Sequence, residues 1–303
     1  MANLFEEFIL GGTKSNKASF VNLLKHYRIN PTKKHGQNFI WNFDLLKNFL
    51  HKSNLTELKN VLEIGSGVGS LTYVLSQNAE KVVSLEIDES LREILGDLEA
   101  SQDNIDIVFT DANKANWKEF FTDEELEDVT LVSNLPYNLT TALINKAISE
   151  FHMAKQMLFL VEREAVPRIL GIEGDGKSSS QNQGPLSKLV SAYGSARSIL
   201  TVNATAFHPK PRVNSELILL TPNTDTESYK CLIEHGGLLE RVIKMAYTQR
   251  RKTLANSFKG FDLKSDVQSW LEENNLPTST RAEELSADEF TSLSLFLKDE
   301  LMN

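Results

Sequence analysis

Short apolar runs alternate with a glycine-rich turn and a stretch of helical character in the first third of the chain. Residues 61–64 and 81–87 are rich in Val, Leu and Ile, which is typical of buried strands. Residues 70–78 between them have helical character, and a glycine-rich turn separates them from the first strand. Strand, glycine turn, helix and strand in this order predict a βαβ unit of a parallel sheet.

Two further apolar runs, residues 105–109 and 129–133, predict two more strands. Each is followed by a polar residue, Asp111 after the first and Asn134 after the second. In open α/β sheets, ligands gather outside the carboxyl ends of the strands. The pattern therefore predicts an α/β fold with a ligand site at that edge of the sheet.

The second half of the chain changes in character after residue 220. Residues 171–184 are rich in Gly and Ser and predict a flexible surface loop. A strand-like run at residues 216–220 precedes a linker at 221–225, and apolar residues then recur at helical spacing. We predict an N-terminal extension at residues 1–30, an α/β domain at 31–222 and a small all-α domain at 223–303.

The net charge and the local distribution of charge give different expectations about a nucleic-acid partner. The 303-residue chain has a formal net charge of −9, which argues against a nucleic-acid partner because phosphate neutralisation supplies most of the affinity for such ligands. Residues 8–43 and 241–261, however, contain no acidic residue and several Lys and Arg. The surplus acid lies around residues 97–106 and 123–128. This asymmetry predicts one surface that can face phosphate.

The number and spacing of the cysteine and histidine residues bear on whether the protein has disulfides or a metal site. The single cysteine, Cys231, excludes an intramolecular disulfide and a cysteine-built metal site, and suits a reducing cytoplasm. The six histidines have no metal-type spacing, so no metal is expected. Residues 1–14 lack the features of a signal peptide, and no apolar run approaches membrane-spanning length. We expect a cytoplasmic protein without a membrane partner, and a monomer by default.

The glycine-rich turn predicts a cofactor site. Gly65, Gly67 and Gly69 let the backbone approach a ligand closely. A dinucleotide fingerprint needs glycine at the first, third and sixth positions of such a turn, and here the third glycine is fifth, which disfavours a nicotinamide or flavin cofactor. Glu86, at the end of the next strand, can accept both hydroxyls of an adenosine ribose. Asp111 can accept from the adenine amine of the same ligand.

The tetrapeptide Asn134-Leu135-Pro136-Tyr137 suits methylation of an exocyclic amine of a nucleobase. That amine is a poor nucleophile because its lone pair is delocalised into the ring, so its N–H bonds need acceptors that let the nitrogen become tetrahedral. The side-chain oxygen of Asn134 can be one acceptor, and the Leu135 carbonyl, held by the rigid Pro136, the other. Tyr137 would stack on an unpaired base. A plain β-turn is the alternative interpretation, which the position after a buried strand disfavours.

In this order, the motifs resemble the ribosomal RNA adenine dimethyltransferase family, whose members dimethylate two adjacent adenines near the 3′ end of small-subunit ribosomal RNA. The resemblance runs from about residue 30 to residue 258. Residues 33–40 are similar to the family's opening motif, which closes over the methyl donor. Residues 207–215 are similar to its late active-site motif, and residues 249–254 to the basic helix of its small C-terminal domain.

The resemblance implies a Rossmann-like class I S-adenosylmethionine-dependent methyltransferase domain with a small C-terminal all-α domain. The implied substrate is 16S ribosomal RNA in the 30S subunit, with a role in ribosome biogenesis. The implied S-adenosylmethionine contacts are Asn38, Ile40, Gly65, Gly67, Glu86, Asp111 and Asn134. The implied catalytic residues are Asn134, Leu135, Pro136, Tyr137 and Phe207, the last sandwiching the target base against Tyr137. The implied RNA contacts are Lys33, Lys34, Arg250, Arg251 and Lys252.

Three alternatives stay open at this point. An adenine methyltransferase of large-subunit RNA, of the macrolide-resistance type, has closely similar motifs, but residues 207–215 and the basic helix favour the small-subunit enzyme. A DNA adenine methyltransferase would more often have proline in place of Leu135. A non-catalytic nucleic-acid-binding relative is disfavoured by the intact Asn134, Tyr137 and glycine turn.

Overall fold

The computed structural model describes residue 8 and residues 16–32, 36–172, 183–235, 237–249 and 251–302. The strands are β1 (Phe39–Ile40), β2 (Leu58–Ile64), β3 (Ala79–Glu86), β4 (Ile105–Phe109), β5 (Val129–Asn134), β6 (Gln156–Glu162), β7 (Gly194–Val202), β8 (Phe207–His208) and β9 (Ser215–Pro222). The α-helices are α1 (Lys17–His26), α2 (Phe43–Ser53), α3 (Ser70–Ser76), α4 (Arg92–Ser101), α5 (Asp123–Leu126), α6 (Thr140–Glu150), α7 (Val166–Leu170), α8 (Pro185–Tyr193), α9 (Glu227–Glu234), α10 (Leu238–Ala246), α11 (Leu254–Ser257), α12 (Lys264–Glu273), α13 (Ala287–Phe296) and α14 (Lys298–Met302).

Seven strands form one sheet in the order β4-β3-β2-β5-β6-β9-β7, and β1 pairs with β8 in a separate antiparallel ribbon. The pairs β4–β3, β3–β2, β2–β5 and β5–β6 are parallel. From β2 the chain proceeds outward to β4 on one side, then crosses back to β5 on the other. The carboxyl ends of β2 and β5 therefore lie side by side at a topological switch point, where open α/β sheets bind their ligands.

Apolar side chains from the first four helices bury one face of this sheet. Phe20 of α1, Leu46 of α2, Val74 of α3 and Leu95 of α4 are fully buried in one cluster that also contains Val61 of β2. Complete burial of one such side chain contributes about 1.5–3 kcal/mol. Because α1 supplies Phe20 to this core, residues 17–26 of the predicted N-terminal extension are packed with the sheet.

The chain divides into two compact units. The first, here called the sheet unit, comprises Met1–Leu143, Met153–Val166 and Arg197–Leu219. The second, here called the helical unit, comprises Ile144–His152, Pro167–Ala196 and Leu220–Asn303. The helical unit thus draws on two segments that precede residue 222, and the division at residues 222 and 223 stays a prediction.

Helix α8 is the clearest case of an earlier segment that packs in the helical unit. It contacts α9, α10 and α13. Its Lys188 is buried, and the Nζ atom donates to the carbonyl oxygens of Leu285, at 2.5 Å, and Glu283, at 3.2 Å. Burial lowers the pKa of Lys188. These bonds fix the middle of the chain to the segment before α13.

The predicted α/β fold with a helical C-terminal part is confirmed. The predicted strands at residues 61–64, 81–87, 105–109, 129–133 and 216–220 correspond to β2, β3, β4, β5 and β9, and the predicted helix to α3. Within the predicted loop, residues 173–182 lie outside the described residues. The Gln183 side chain donates to the Gly171 carbonyl at 3.0 Å, which closes the base of that loop.

Candidate functional site

A cavity that is partly open to solvent lies at the carboxyl ends of β2, β3, β4 and β5. Ten of the residues predicted for cofactor binding or catalysis line it: Asn38, Ile40, Gly65, Gly67, Glu86, Asp111, Asn134, Leu135, Pro136 and Tyr137. The switch point between β2 and β5 explains this convergence, because it places the glycine turn and the tetrapeptide at residues 134–137 on neighbouring strand ends.

The glycine turn forms the floor of the cavity and requires glycine for conformational reasons. Gly65, Gly67 and Gly69 have φ values of 82°, 55° and 82°, in the left-handed region. A methyl group added at Gly69 would lie 2.5 Å from the side chain of Leu98, whereas one added at Gly65 would meet no atom within 4 Å. The space above Gly65 is therefore open to a ligand.

Glu86 is held rigidly at the end of β3. Its Oε1 accepts from the backbone N–H groups of Ile87 and Asp88, at 2.8 and 2.9 Å, and its Oε2 from that of Gly67, at 2.8 Å. Burial raises the pKa of this carboxyl, against the lowering effect of the three backbone bonds. Each carboxylate oxygen accepts at more than one position, so Glu86 can still bind ligand hydroxyls.

Glu63 lies beneath the cavity and had no role assigned from the sequence. The side chain is fully buried, and its Oε2 accepts from the hydroxyls of Thr72, at 2.6 Å, and Ser84, at 2.5 Å. No described residue makes a hydrogen bond with its Oε1. Burial, opposed by those two hydroxyl bonds and assisted by the charge of Glu86, raises the pKa of Glu63 to about 7.

The charge of the cavity wall selects the kind of ligand it can hold. Among the described lining residues there are three carboxylates, Glu63, Glu86 and Asp111, and no Lys, Arg or His. Asp111 also lies 3.7 Å from the exposed Lys114 Nζ and accepts from the Asn113 N–H. Such a wall repels phosphate and attracts a cation. The cavity therefore fits a positively charged nucleoside better than a dinucleotide.

The tetrapeptide predicted to be catalytic, residues 134–137, begins at the last residue of β5 and leads into the turn before α6. The side-chain nitrogen of Asn134 donates to the backbone carbonyl of Asn38 at 3.1 Å, which leaves the Asn134 oxygen as an acceptor. The backbone N–H of Leu135 donates to the Leu160 carbonyl of β6 at 3.1 Å. No described residue donates to the Leu135 carbonyl. The turn thus presents two acceptors that its own hydrogen bonds do not consume.

Tyr137 is tied to the segment at residues 207–215. Its hydroxyl lies 2.8 Å from the Ser215 Oγ, and burial raises the pKa of the tyrosine. Ser215 was not assigned a role, although it ends the late motif found in the sequence. This hydrogen bond fixes the hydroxyl end of the tyrosine and leaves its ring at the cavity wall.

Phe207 is buried in this structure. Its side chain has no exposed surface and lies in the apolar core of the sheet unit, together with Phe39. The reason is the ribbon of β1 and β8, in which Phe207 pairs with Ile40, a residue of the cavity lining. Phe207 itself is not among the described residues that line the cavity, and its expected role against Tyr137 stays a prediction.

Two of the five predicted RNA contacts can be located. Arg251 and Lys252 are exposed, in the helical unit next to α11. Lys33, Lys34 and Arg250 lie outside the described residues. Among the residues that the structure describes, no helix is long and apolar enough to cross a membrane. No described group of three or more His, Cys, Asp or Glu side chains could hold a metal ion.

The parallel pairs of the sheet, the glycine turn after β2 and the carboxylates at the ends of β3 and β4 define the Rossmann-like fold of class I methyltransferases. The chain belongs to the ribosomal RNA adenine dimethylase family, whose model matches residues 29–299.

Similar proteins cover nearly the whole chain. A ribosomal RNA small subunit methyltransferase A from Bacillus licheniformis is 32% identical over 288 residues, which is 92% of this chain and 96% of the relative. One from Clostridium acetobutylicum is 32% identical over 273 residues, 90% and 95% of the two chains. Among solved structures, a dimethyladenosine transferase from Plasmodium falciparum has a TM-score of 0.66 at 22% identity, covering 86% of this chain and 98% of its own. The 23S rRNA methyltransferase ErmE has a TM-score of 0.58 at 19% identity, covering 86% and 100%. The similarity to these two solved structures is a similarity of fold.

S-adenosylmethionine is the cofactor of this class of enzyme, and the cavity fits it. The open space over Gly65 accommodates a ligand that contacts the backbone, and the bonded carboxylate of Glu86 suits a ribose. The unpartnered Oε1 of Glu63 and the acidic wall complement the positive charges of the cofactor.

Proposed function

We propose that this protein dimethylates the N6 amines of two adjacent adenines near the 3′ end of 16S ribosomal RNA. The substrate is the small ribosomal subunit, and the reaction contributes to ribosome biogenesis in the cytoplasm. The enzyme acts as a monomer without a metal ion. The observation that carries this proposal is the fixed Asn134 amide, whose oxygen remains an acceptor beside the acidic cavity.

Donor binding is assigned to the cavity wall. Glu86 would accept the ribose hydroxyls, and Asp111 the amine of the donor's adenine. Gly65 and Gly67 would contact the donor through their backbone. Ile40 of β1 and Asn38, which precedes that strand, would cover the donor. S-adenosylmethionine supplies a methyl group that is electrophilic because it is bonded to a sulfonium.

The tetrapeptide would activate the target amine. The Asn134 oxygen and the Leu135 carbonyl would each accept one N–H of the adenine N6, which localises the nitrogen lone pair for attack. Pro136 restricts the backbone that carries the Leu135 carbonyl. The ring of Tyr137 would stack on the unpaired base and hold it in the plane that this geometry needs. Alignment and proximity then provide most of the rate enhancement.

RNA binding is assigned to basic residues outside the cavity. Lys33 and Lys34 precede Gly36 in the sequence, and Arg250, Arg251 and Lys252 follow α10 and precede α11. Two of the relatives at 32% identity carry a name that specifies the small subunit. This supports the small-subunit substrate over the large-subunit alternative.

The substrate assignment is tested by transfer of labelled methyl groups from S-adenosylmethionine to unmethylated 30S subunits and, in parallel, to 50S subunits. We expect label in the RNA of the 30S subunit alone. Label confined to the 50S subunit would move the protein to the macrolide-resistance type. Donor binding without any transfer would contradict the proposed enzyme activity.

A further inference from the structure

The helical unit has a surface groove between α10 and the turn at residues 259–261. The residues from α10 that line it are three or four positions apart and share one face of that helix. Its described lining includes Arg241, Lys244, Met245, Thr248 and Phe261. Met245 is buried, whereas Arg241, Lys244 and Phe261 are exposed. The groove therefore places two cations and an aromatic ring on one surface.

The backbone around Phe261 fixes the position of this ring. The Phe261 N–H donates to the Phe258 carbonyl at 3.1 Å, and the Leu263 N–H donates to the same carbonyl at 3.4 Å. Phe258 and Leu263 are buried, but the Phe261 side chain between them is 44% exposed. A single exposed apolar side chain is ordinary in a folded protein. Phe261 differs from such a residue because of the cations that share its groove.

Arg241 is held in the groove by a hydrogen bond to the backbone. Its Nη1 donates to the Leu301 carbonyl at 2.8 Å, and no described carboxylate lies within 4.0 Å of the guanidinium. The other N–H groups of the guanidinium can therefore bind an anion. Lys244 differs, because its Nζ lies 2.5 Å from the Glu240 Oε1. Arg241 is thus the cation of the groove that is best placed to bind a phosphate.

The charges around the groove indicate where an anion would lie. An adjoining depression shares Arg241, Met245 and Phe261 and adds Asp262, Asp266 and Glu300, which would repel phosphate. The acid that lines the groove itself, Glu240, is paired with Lys244 and accepts from the Ser149 Oγ at 2.7 Å. Residues 241–261 contain six Lys or Arg and no Asp or Glu. The α10 side of Phe261 is therefore the side that suits a polyanion.

We propose that this groove binds an unpaired nucleotide of the RNA substrate. Phe261 stacks on its base, and Arg241 binds a neighbouring phosphate. Aromatic rings beside cations bind single-stranded nucleic acid with little regard to its sequence, since every base has a face on which to stack. The inference rests on the proposed function, because the RNA is the substrate named there. It adds a base contact to the phosphate contacts assigned to residues 250–252.

The test separates the ring of Phe261 from its apolar bulk. Phe261→Leu removes the ring and keeps an apolar side chain, whereas Phe261→Tyr keeps the ring. Phe296→Ala is the matched control for Phe261→Ala, because Phe296 is 41% exposed at the end of α13 and does not line the groove. Thermal unfolding of each variant verifies that the fold is retained.

Filter binding to unmethylated 30S subunits across a salt series supplies the first readout. Phe261→Ala and Phe261→Leu should each weaken binding by about fivefold or more without changing its salt slope, because the ring is uncharged. Phe261→Tyr and Phe296→Ala should stay within about twofold of the wild type. Arg241→Gln should lower the slope by about 0.7–0.9, the value for one phosphate. Wild-type affinity in Phe261→Leu, or equal losses in Phe261→Ala and Phe296→Ala, would overturn the proposal.

Ultraviolet cross-linking identifies the class of molecule that contacts the ring. We expect mass spectrometry to find a nucleotide adduct on the peptide that contains Phe261, and to lose it in Phe261→Leu. Weakened 30S binding by Phe261→Leu, with no adduct in the wild type, would assign the groove to a ribosomal protein and overturn the proposal. Neither readout needs methyl transfer. A protein that forms the adduct and methylates nothing would therefore contradict the proposed function alone.

Discussion

At the scale of single residues, the polar groups of the cavity are oriented by the protein itself. Three backbone N–H groups hold Glu86, and the Asn38 carbonyl holds the Asn134 amide. Groups that are already aligned need little reorganisation when substrate arrives, which is the usual source of electrostatic catalysis. Glu63 differs, because one of its buried oxygens has no hydrogen-bond partner among the described residues.

Glu63 gives a prediction about pH. Its pKa rises from 4.5 in the unfolded chain to about 7 in the fold, so the protonated form stabilises the native state. Without donor, the free energy of unfolding should fall by on the order of 3 kcal/mol as pH rises from about 4.5 to about 7. Glu63→Gln should reduce this loss in urea titrations at pH 5 and pH 8, and the raised pKa of Glu86 accounts for a loss that remains. The control is Glu57→Gln, an exposed carboxylate, and a loss that is as large in Glu63→Gln as in Glu57→Gln would contradict the assignment.

At the scale of elements, the site depends on turns that join strands to helices. The turn after β2 leaves open space over Gly65, and the turn after β5 presents the Asn134 and Leu135 acceptors. Both turns lie at one sheet edge because the strand order reverses between β2 and β5. Residues 36–40, which end in β1, also line the cavity at this edge.

The glycine turn supports a paired prediction. Gly65 and Gly237 have nearly equal φ values, 82° and 81°, and an added methyl group meets no atom within 4 Å at either position. Alanine at each should therefore cost a similar amount, about 1–2 kcal/mol of stability. Only Gly65→Ala should weaken S-adenosylmethionine binding, by about tenfold or more, because its methyl group enters the cavity. Titration calorimetry of both variants measures this, and equal affinities would exclude donor contact at Gly65.

The strands show which parts of the fold could be predicted from the sequence. β2, β3 and β5 were predicted because each is a largely buried parallel strand and therefore a nearly continuous apolar run. The edge strand β4 has apolar residues of the same type, although only its Ile105 is buried. β1 and β8 have two residues each, too few for a periodic pattern, and their pairing is what buries Phe207. The residues that converge on the cavity were identified from motifs. The Gln37–Asp88 and Tyr137–Ser215 contacts join residues far apart in the chain, and no local pattern reports such contacts.

At the scale of the whole molecule, the acidic cavity and one of the basic segments belong to different units. The acidic cavity lies in the sheet unit, whereas the acid-free residues 241–261 lie in the helical unit. An acidic protein can therefore bind RNA through limited basic segments while its donor site remains attractive to a cation. Helix α8 precedes residue 222 in the chain but packs with α9, α10 and α13 in the helical unit. The two units therefore do not follow the order of the sequence.

The predicted RNA contact of the basic residues 250–252 can be tested through the salt dependence of binding. Replacing Arg250, Arg251 and Lys252 with Gln should weaken 30S binding and reduce the slope of log affinity against log salt by about 2–3, if each contacts one phosphate. The control replaces Lys59 and Lys155 with Gln, because both pair with Asp128. Filter binding across a salt series supplies both values. An unchanged slope in the first variant would show that these residues face away from RNA.

The central claim, that the tetrapeptide activates an adenine amine beside the donor cavity, is tested most directly by analysing the modified nucleosides. Wild-type protein and Asn134→Ala would each react with S-adenosylmethionine and unmethylated 30S subunits, followed by mass spectrometry of the digested RNA. We predict N6,N6-dimethyladenosine from the wild type, and none from Asn134→Ala although that variant still binds the donor. Methylation of another nucleoside, or undiminished dimethyladenosine from Asn134→Ala, would contradict the account.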